Sequence, residues 1–600
     1  MAANTIVSGH AGLTLLRQKA AQVRIDSVLA TTEAGSGHPT SCASAADIVS
    51  VLFFSVMRFD PHDPRSNAND VFVLSKGHAA PLLYAAWAEA GAFPREKLLT
   101  LRKLDSDLEG HPTPRLPFVD VATGSLGQGP VALGIAVNAK RFTHSGQRVY
   151  VLLGDGELAE GSVWEAAQWA ALNRLDNLCV TVDINRLGQS RPTMLEWDLD
   201  TWRARWGAFG WNALTVDGHD IEALLEAYER AEQTRDRPTV VLARTIKGKA
   251  LPGIEGKDHW HGKALDRNAA AAVVDELSRQ TGAAEERWEP RKPDIIETPP
   301  ARVEKRPADS PAPPYESGEK KVSTRKGFGD GLAALASADP RVVVLDGDVG
   351  NSTYTEEFEK AAPERFLECY IAEQNMAGVA MGLAARGRVP FAATFACFLT
   401  RACDFIRMAA ISNLNVKFVG THAGVSIGQN GPSQMGLEDL AMTCAEPNFT
   451  VLYPADATSA WRATWLLAEH SGPCYLRTGR PDSPVLYGSG ERFEIGKCKI
   501  LRQSDKDRAL IVAAGVTVFE ALAAFDELRR EGIAVRGYRF VQRAPRRPQP
   551  ARARSGSRGN RRHRGGSLRA RRNWRRRRRR CGKRRSEGIQ TRHPGNPSQR

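Results

Sequence analysis

With 600 residues, 42% of them hydrophobic and 25% charged, the chain is too long for one core and reads as three or four domains at roughly 150 residues each. No apolar run reaches the ~18 residues that a bilayer needs, and Met1 to Gly12 lacks both the cationic start and the apolar stretch of a secretory signal, so no membrane partner and a cytoplasmic location are expected. The net charge of +15 is uneven: residues 537–600 carry 24 Lys and Arg against Glu587 alone, which leaves the body of the chain mildly acidic at −8, so the basic signal belongs to the tail.

From Thr40 to about Thr281 apolar strand-like runs alternate with helix-period stretches: a strand over Val149 to Leu153, a helix over Ser162 to Leu172, a strand over Leu178 to Ile184. This is the rhythm of a parallel α/β sheet. Gly154-Asp155-Gly156-Glu157 follows the first of these strands and Asn185 ends the next, so both fall at the carboxyl edge where open α/β sheets bind ligands. A carboxylate (Asp155), an amide oxygen (Asn185) and a backbone carbonyl (Leu187) are hard oxygen donors suited to Mg²⁺ bridging a diphosphate. The tripeptide alone reads more simply as a turn, and the strand-helix-strand setting turns the argument toward a clamp.

A stretch rich in Pro, Lys, Glu and Arg from Trp288 to Ser323 interrupts the rhythm and reads as a linker. Strands are then expected over Val342 to Leu345, Phe366 to Ala372, Val389 to Phe395, Val416 to Gly420 and Thr450 to Tyr453. A third α/β unit opens at Arg508 and fails after Arg536, where Arg, Gly, Ser and Pro replace all apolar periodicity and allow no packed core. A one-base shift of frame near codon 537 can yield an apolar strand and a Pro turn in place of residues 538–547, so we read the tail as frameshifted. A natural Arg-rich arm that grips phosphates is the rival reading. Nine cysteines without C-x-x-C spacing indicate neither zinc nor a disulfide framework and are expected mostly as small core residues.

The boundaries read from the sequence are 1–285 for a first, diphosphate-binding α/β domain and 286–322 for the linker. They continue with 323–490 for a second, pyrimidine-binding α/β domain, 491–536 for the start of a third, and 537–600 for the tail.

Over residues 13–536 the sequence resembles the transketolase family. The resemblance rests on ordered blocks: AGSGHPTS (34–41), LSKGHAA (74–80), GHP (110–112), TGSLGQG (123–129), GDGE (154–157), DINRLGQ (183–189) and WHGK (260–263). The second domain adds TRK (324–326), DGD (346–348), IAEQNM (371–376), GVSIG (424–428) and RTGRP (477–481). It implies a thiamine-diphosphate-binding fold of two consecutive parallel-sheet α/β domains with an incomplete third, and a ketol transfer between sugar phosphates in the pentose phosphate pathway. Thiamine diphosphate and Mg²⁺ (with Ca²⁺ or Mn²⁺ as substitutes) are the implied cofactors, and a homodimer with active sites at its interface the implied assembly.

By the same resemblance Ser41, His78, Gly124, Ser125, Leu126, Gly156, Asn185, Lys247, His261, Phe398 and Gln434 would line the cofactor, with Phe398 stacked on its aminopyrimidine. Glu373 would hold the proton of the pyrimidine nitrogen. His38 and His261 would move protons at the donor hydroxyls, since histidine ordinarily titrates near neutrality, and His111 and His422 would join them in the substrate channel. Arg325, Arg480, Ser352 and His422 would hold the sugar phosphate.

Two positions depart from the family pattern. Asn430 stands where an Asp is usual, which substitutes an amide for a charged acceptor and weakens the expected hold on a substrate hydroxyl. Pro130 follows Gly129 where a larger apolar residue is usual, and Pro fits the first turn of a helix. The alternatives are another thiamine-dependent synthase, such as a deoxyxylulose-phosphate or dihydroxyacetone synthase, or a catalytically silent relative. A nucleic-acid binder driven by the tail is a reading from a different class.

Overall fold

The computed structural model describes residues 9–281, 288–293, 311–539 and 542–543. The first sheet is built by five segments that pair in parallel, in the spatial order Val71–Leu74, Val149–Gly154, Leu178–Ile184, Thr239–Arg244, Asn212–Asp217; the first four are buried on both faces, and the edge strand Asn212–Asp217 buries only Leu214. Register sets Leu74 beside Leu152, Gly154 beside Asp183 and Ile184 beside Arg244. Four loops therefore leave one edge side by side.

The second sheet has six parallel strands in the order Thr450–Leu452, Cys474–Arg477, Lys417–Thr421, Val389–Phe395, Val342–Asp346, Phe366–Glu368, with Gln542–Arg543 antiparallel on the first. The strand expected over Phe366 to Ala372 stops at Glu368. Tyr370 takes φ +57°, a left-handed turn that ends the strand, and Glu373 opens the helix Glu373–Ala385 instead of closing a strand.

A shared core joins the sheets. The helices Pro130–Val137 and Glu373–Ala385 pack between them, and their backbones touch because Gly134 and Gly382 face each other. A Cβ on Gly134 would lie 2.1 Å from the Val379 carbonyl oxygen, and one on Gly382 would lie 2.0 Å from that of Val131. Pro130 begins its helix, where the missing N–H costs no bond.

The segment Pro39–Val56 has mean hydropathy 1.4 over 18 residues, which corrects the reading that no stretch reaches spanning length. All of it is buried, where it packs on the helix Gly9–Ala34 and under the first sheet.

A third unit consists of Lys499–Arg502, Val535–Arg539 and Ala509–Ala513 in that order, with the helix Thr517–Arg530 against them. Its central strand runs past Arg536, because Val535–Arg539 pairs on both sides. The remaining tail and most of the linker lie outside the described residues, as does Cys581. Cys42, Cys179, Cys369 and Cys474 are buried as free thiols, while Cys403 and Cys498 are exposed.

Candidate functional site

The four loops at the carboxyl edge of the first sheet enclose a cavity of about 440 Å³. Lys76 and His78 follow the first strand, Gly154 to Glu157 the second, Asn185 and Leu187 to Gln189 the third and Lys247 the fourth, while His38, Ser41, His111, Gly124, Leu126 and His261 close it from neighbouring loops. Ser125 does not line it. Arg186, between Asn185 and Leu187, takes the left-handed φ +64°, and Gly124 sits at φ +117°, which a glycine adopts readily. A Cβ on Gly124 would meet the His111 ring at 2.5 Å.

Beneath the cavity lies a buried ionic network. Lys76 pairs with Asp183 and also donates to the Ser41 carbonyl at 3.1 Å. Asp183 further accepts from Ser44 at 2.6 Å, from Asn185 at 3.0 Å and from Thr245. Burial opposes its ionisation, yet the Lys76 ammonium and these donors hold its carboxyl below the usual range. Glu157 accepts from Ser75 at 2.5 Å and from the Gly127 and Gly154 amides at 2.8 and 3.1 Å, and burial still raises its pKa.

Asp155 is held by the amides of Gly156 and Arg186 at 2.9 and 2.7 Å and by the Thr193 hydroxyl at 2.9 Å. Burial first and the Asp183 charge second push it up to about 6. Lys247 donates to the Leu187 carbonyl at 2.6 Å and contacts His261 Nδ1 at 2.9 Å, and burial with the Lys76 charge brings it down to about 8.

This donor set fits a divalent cation and a diphosphate. A carboxylate that burial and Asp183 make reluctant to ionise sits with an amide oxygen and a carbonyl, and a cation among them would relieve the excess negative charge. The Lys247 ammonium, which lines the cavity, supplies a positive charge for phosphate oxygens. The Nδ1 of His38 is buried without a hydrogen-bond partner, a polar atom that a ligand would satisfy.

The histidines cluster as the sequence suggested, with ring centroids 5.1 Å apart for His38 and His78, 4.9 Å for His38 and His261, 5.2 Å for His78 and His261, and 6.5 Å for His38 and His111. They do not titrate near neutrality, which corrects the expectation. Burial and nearby cations, led by Arg102 for His38 and Lys247 for His261, lower His38 to about 4 and His261 to about 3. His78 and His111 are lowered by burial as well. All four are neutral imidazoles at pH 7.

The residues expected from the second domain form a separate group, and none of them lines this cavity. Phe398 stacks on Phe395 at 5.1 Å and Phe395 on His422 at 3.8 Å, so that the three rings make one column at the end of the strand Val389–Phe395. Glu373 is 4% exposed at the first turn of its helix, near the same corner. Its carboxylate acts on the Cys397 thiol, which burial raises and to which Glu438 and Glu373 add.

Arg325 donates to the Ser352 carbonyl at 2.7 Å, and Arg480 to the Asn430 amide oxygen at 3.2 Å. His422, at φ +55°, is lowered to about 4 by burial and then by the Arg325 and Arg480 charges. Two guanidinium charges beside a neutral imidazole suit an anion. Gln434 ends the short turn Pro432–Gln434 in the loop that carries Asn430. That loop is anchored by the buried pair Arg477 and Asp439, with Nε to Oδ2 at 2.7 Å.

Sequence reasoning missed Lys76, Glu157 and Asp183 as members of the site, although all lie inside motifs it quoted. It also missed Asp439, whose partner is 38 positions away.

Residues 16–294 match the transketolase thiamine diphosphate binding domain family, and residues 320–484 match the transketolase pyrimidine binding domain family. The chain is 50% identical over 537 residues to the transketolase of Homo sapiens, covering 87% of this chain and 83% of the relative. Among solved structures, transketolase from Campylobacter jejuni superposes with a TM-score of 0.78 at 26% identity, covering 88% of each chain. A Pichia stipitis transketolase mutant in complex with xylulose 5-phosphate superposes with 0.77 at 27% identity, covering 88% of this chain and 87% of that one.

Proposed function

The chain belongs to the transketolase family, and from that premise we propose how its own residues divide the work of the reaction. It is an enzyme that transfers a two-carbon ketol group from a ketose phosphate to an aldose phosphate. Thiamine diphosphate, when bound, supplies the electron sink that lets the carbon–carbon bond beside a ketone break and re-form.

Asp155, Asn185 and the Leu187 carbonyl would hold Mg²⁺, or Ca²⁺ or Mn²⁺ in its place, against the diphosphate. Lys247, His78, Ser41, Gly124, Leu126 and Gly156, which line the cavity, would hold the diphosphate and thiazolium half, and Ser125, outside the lining, has no part in it here. Glu373 holds a proton at the pyrimidine ring nitrogen, and Phe398 supplies a flat apolar face for that ring, with Gln434 nearby. His38 and His261 accept the donor hydroxyl proton. Their low proton affinity reflects burial and neighbouring cations, and negative charge from a bound diphosphate and substrate opposes those cations and moves both back toward neutrality. His111 stands beside His38 to hydrogen-bond the sugar. Arg325 and Arg480, with Ser352 and His422, hold the phosphate, while Asn430 offers an amide to a substrate hydroxyl.

The observation that carries this reading is the division of these residues into two incomplete half sites on one chain. Among the described residues, the ionic cavity is lined by no pyrimidine platform and the aromatic column lies apart from the diphosphate clamp. A twofold homodimer that faces the cavity of one protomer with the column of its partner makes both complete. The exposed apolar side chains of Tyr370, Ile371, Val425 and Leu437 beside the second half support such an interface. The complex of a Pichia stipitis relative with xylulose 5-phosphate supports that sugar as a donor.

The test is ketol transfer from xylulose 5-phosphate to ribose 5-phosphate by the purified chain with thiamine diphosphate and Mg²⁺. Turnover that requires both cofactors upholds the proposal, and turnover only with pyruvate or formaldehyde as a reactant would move it to another thiamine-dependent synthase.

A further inference from the structure

The opposite, amino edge of the first sheet holds a second cavity, of about 490 Å³. It lies where Arg148 and Asn177 lead into the strands Val149–Gly154 and Leu178–Ile184, a full strand length away from the catalytic cavity. Five cationic side chains line it, Arg58, Lys140, Arg148, Arg235 and Arg291, against two acidic ones, Asp176 and Glu232. Such an excess stands out in a body whose own net charge is −8.

Both acids are already engaged. Asp176 takes Lys140 at 2.7 Å and the Asp236 amide at 3.1 Å, and Glu232 lies 3.7 Å from Arg291. Arg58 is matched by Asp70, at 2.9 and 3.1 Å. Arg148 and Arg235 are different: among the described residues neither forms an ion pair. Arg148 donates one Nη to the carbonyls of Asp176 and Ala231, at 3.2 and 2.9 Å, and its Nε is buried with no hydrogen-bond partner. Arg235 donates only to the carbonyls of Glu232 and Thr234, at 2.6 and 3.0 Å, and is exposed at the rim.

Carbonyl dipoles orient a guanidinium but do not neutralise it, and Glu232 and Asp70 reach Arg148 only as charges beyond ion-pair distance, each already engaged with Arg291 and Arg58, so the two forks keep donors for an incoming group. We propose that this cavity binds a compact phosphate-bearing anion, gripped by Arg148 and Arg235, at a site separate from the catalytic centre. Two or more phosphate charges match the surplus of cations, and the volume admits a ligand of sugar-phosphate or nucleotide size.

Calorimetric titration of inorganic tripolyphosphate, in excess Mg²⁺, into the full chain saturated with thiamine diphosphate tests this. Each guanidinium contact is worth about tenfold in affinity. Arg148→Gln combined with Arg235→Gln is expected to weaken binding by ~100-fold, and Arg235→Glu alone by ~10-fold or more. Arg480→Gln, at the sugar-phosphate grip, is expected to leave this affinity within about twofold. Arg235 is exposed, so Arg235→Glu folds even where the Arg148 change does not. No saturable binding by the unaltered chain, unchanged affinity in Arg235→Glu, or loss of binding in Arg480→Gln instead would overturn the proposal.

Discussion

The two sheet edges handle charge in opposite ways. At the first, charged groups are buried and engaged: Lys76 with Asp183, Glu157 on two backbone amides, Asp155 on the amides of Gly156 and Arg186. At the second, two arginines rest on neutral oxygens beside a stack of three rings, and exposed apolar side chains surround them. The first edge is finished except for a ligand. The second is finished only when another surface covers it, because flat aromatic faces and exposed Tyr370 and Ile371 gain nothing from water. This contrast between an edge that completes itself and one that does not is the ground for the two-chain site proposed above.

The largest effect expected from breaking this comparison is at Glu373. Glu373→Ala should lower ketol transfer by roughly 10²- to 10⁴-fold, the usual worth of a positioned proton donor or acceptor. Calorimetric affinity for thiamine diphosphate should fall far less, because the diphosphate is held at the other edge. Equal losses in both readouts would dissolve the distinction between the edges.

Asp155→Ala inverts that pattern. Its main consequence should be a loss of cofactor affinity on the order of 10- to 100-fold, measured with Mg²⁺ at fixed concentration, with turnover partly rescued by excess cofactor. Failure of rescue would remove Asp155 from the clamp.

Much of the first edge was legible because each piece is local. Gly154 to Glu157 follows a strand whose apolar run is unmistakable, and Asn185 ends the next, so chain direction alone puts both on one edge. The strands Val389–Phe395 and Leu178–Ile184 begin and end where their composition changes. What was not legible depends on distant partners. Lys76 and Asp183 are 107 residues apart and Arg477 and Asp439 are 38 apart, and no periodicity announces such pairs. The strand expected through Ala372 was overextended because apolar Tyr370 and Ile371 look like strand residues, whereas they line an exposed turn. The histidine cluster was found through resemblance. Its proton affinity was not, since burial and the charges of Arg102 and Lys247 belong to the folded chain alone.

A finer change sharpens the second edge. Asn430→Asp gives Arg480 a charged partner and a substrate hydroxyl a stronger acceptor, so kcat/KM for xylulose 5-phosphate should rise by roughly 3- to 10-fold. A fall would indicate that the new charge competes with phosphate for Arg480.

The smallest effect concerns pH. The folded His422 titrates at about 4 against an ordinary 6.5, so the unfolded chain binds more protons between those values and stability falls as pH drops from 6.5 toward 4. Tm followed over that window should decline less steeply in His422→Asn than in the unaltered chain. Parallel slopes would place the acid sensitivity elsewhere.

The most direct test of the two-chain site is complementation. Asp155→Ala and Glu373→Ala chains are coexpressed, purified without selecting for either, and assayed at a thiamine diphosphate concentration that saturates the unaltered chain but not Asp155→Ala, so that each variant alone turns over little. If each site takes its clamp from one protomer and its Glu373 from the other, a statistical mixture contains mixed dimers with one intact site, and about a quarter of full activity should return. No recovery from mixed dimers of confirmed composition would contradict a site shared between chains and place both halves within one.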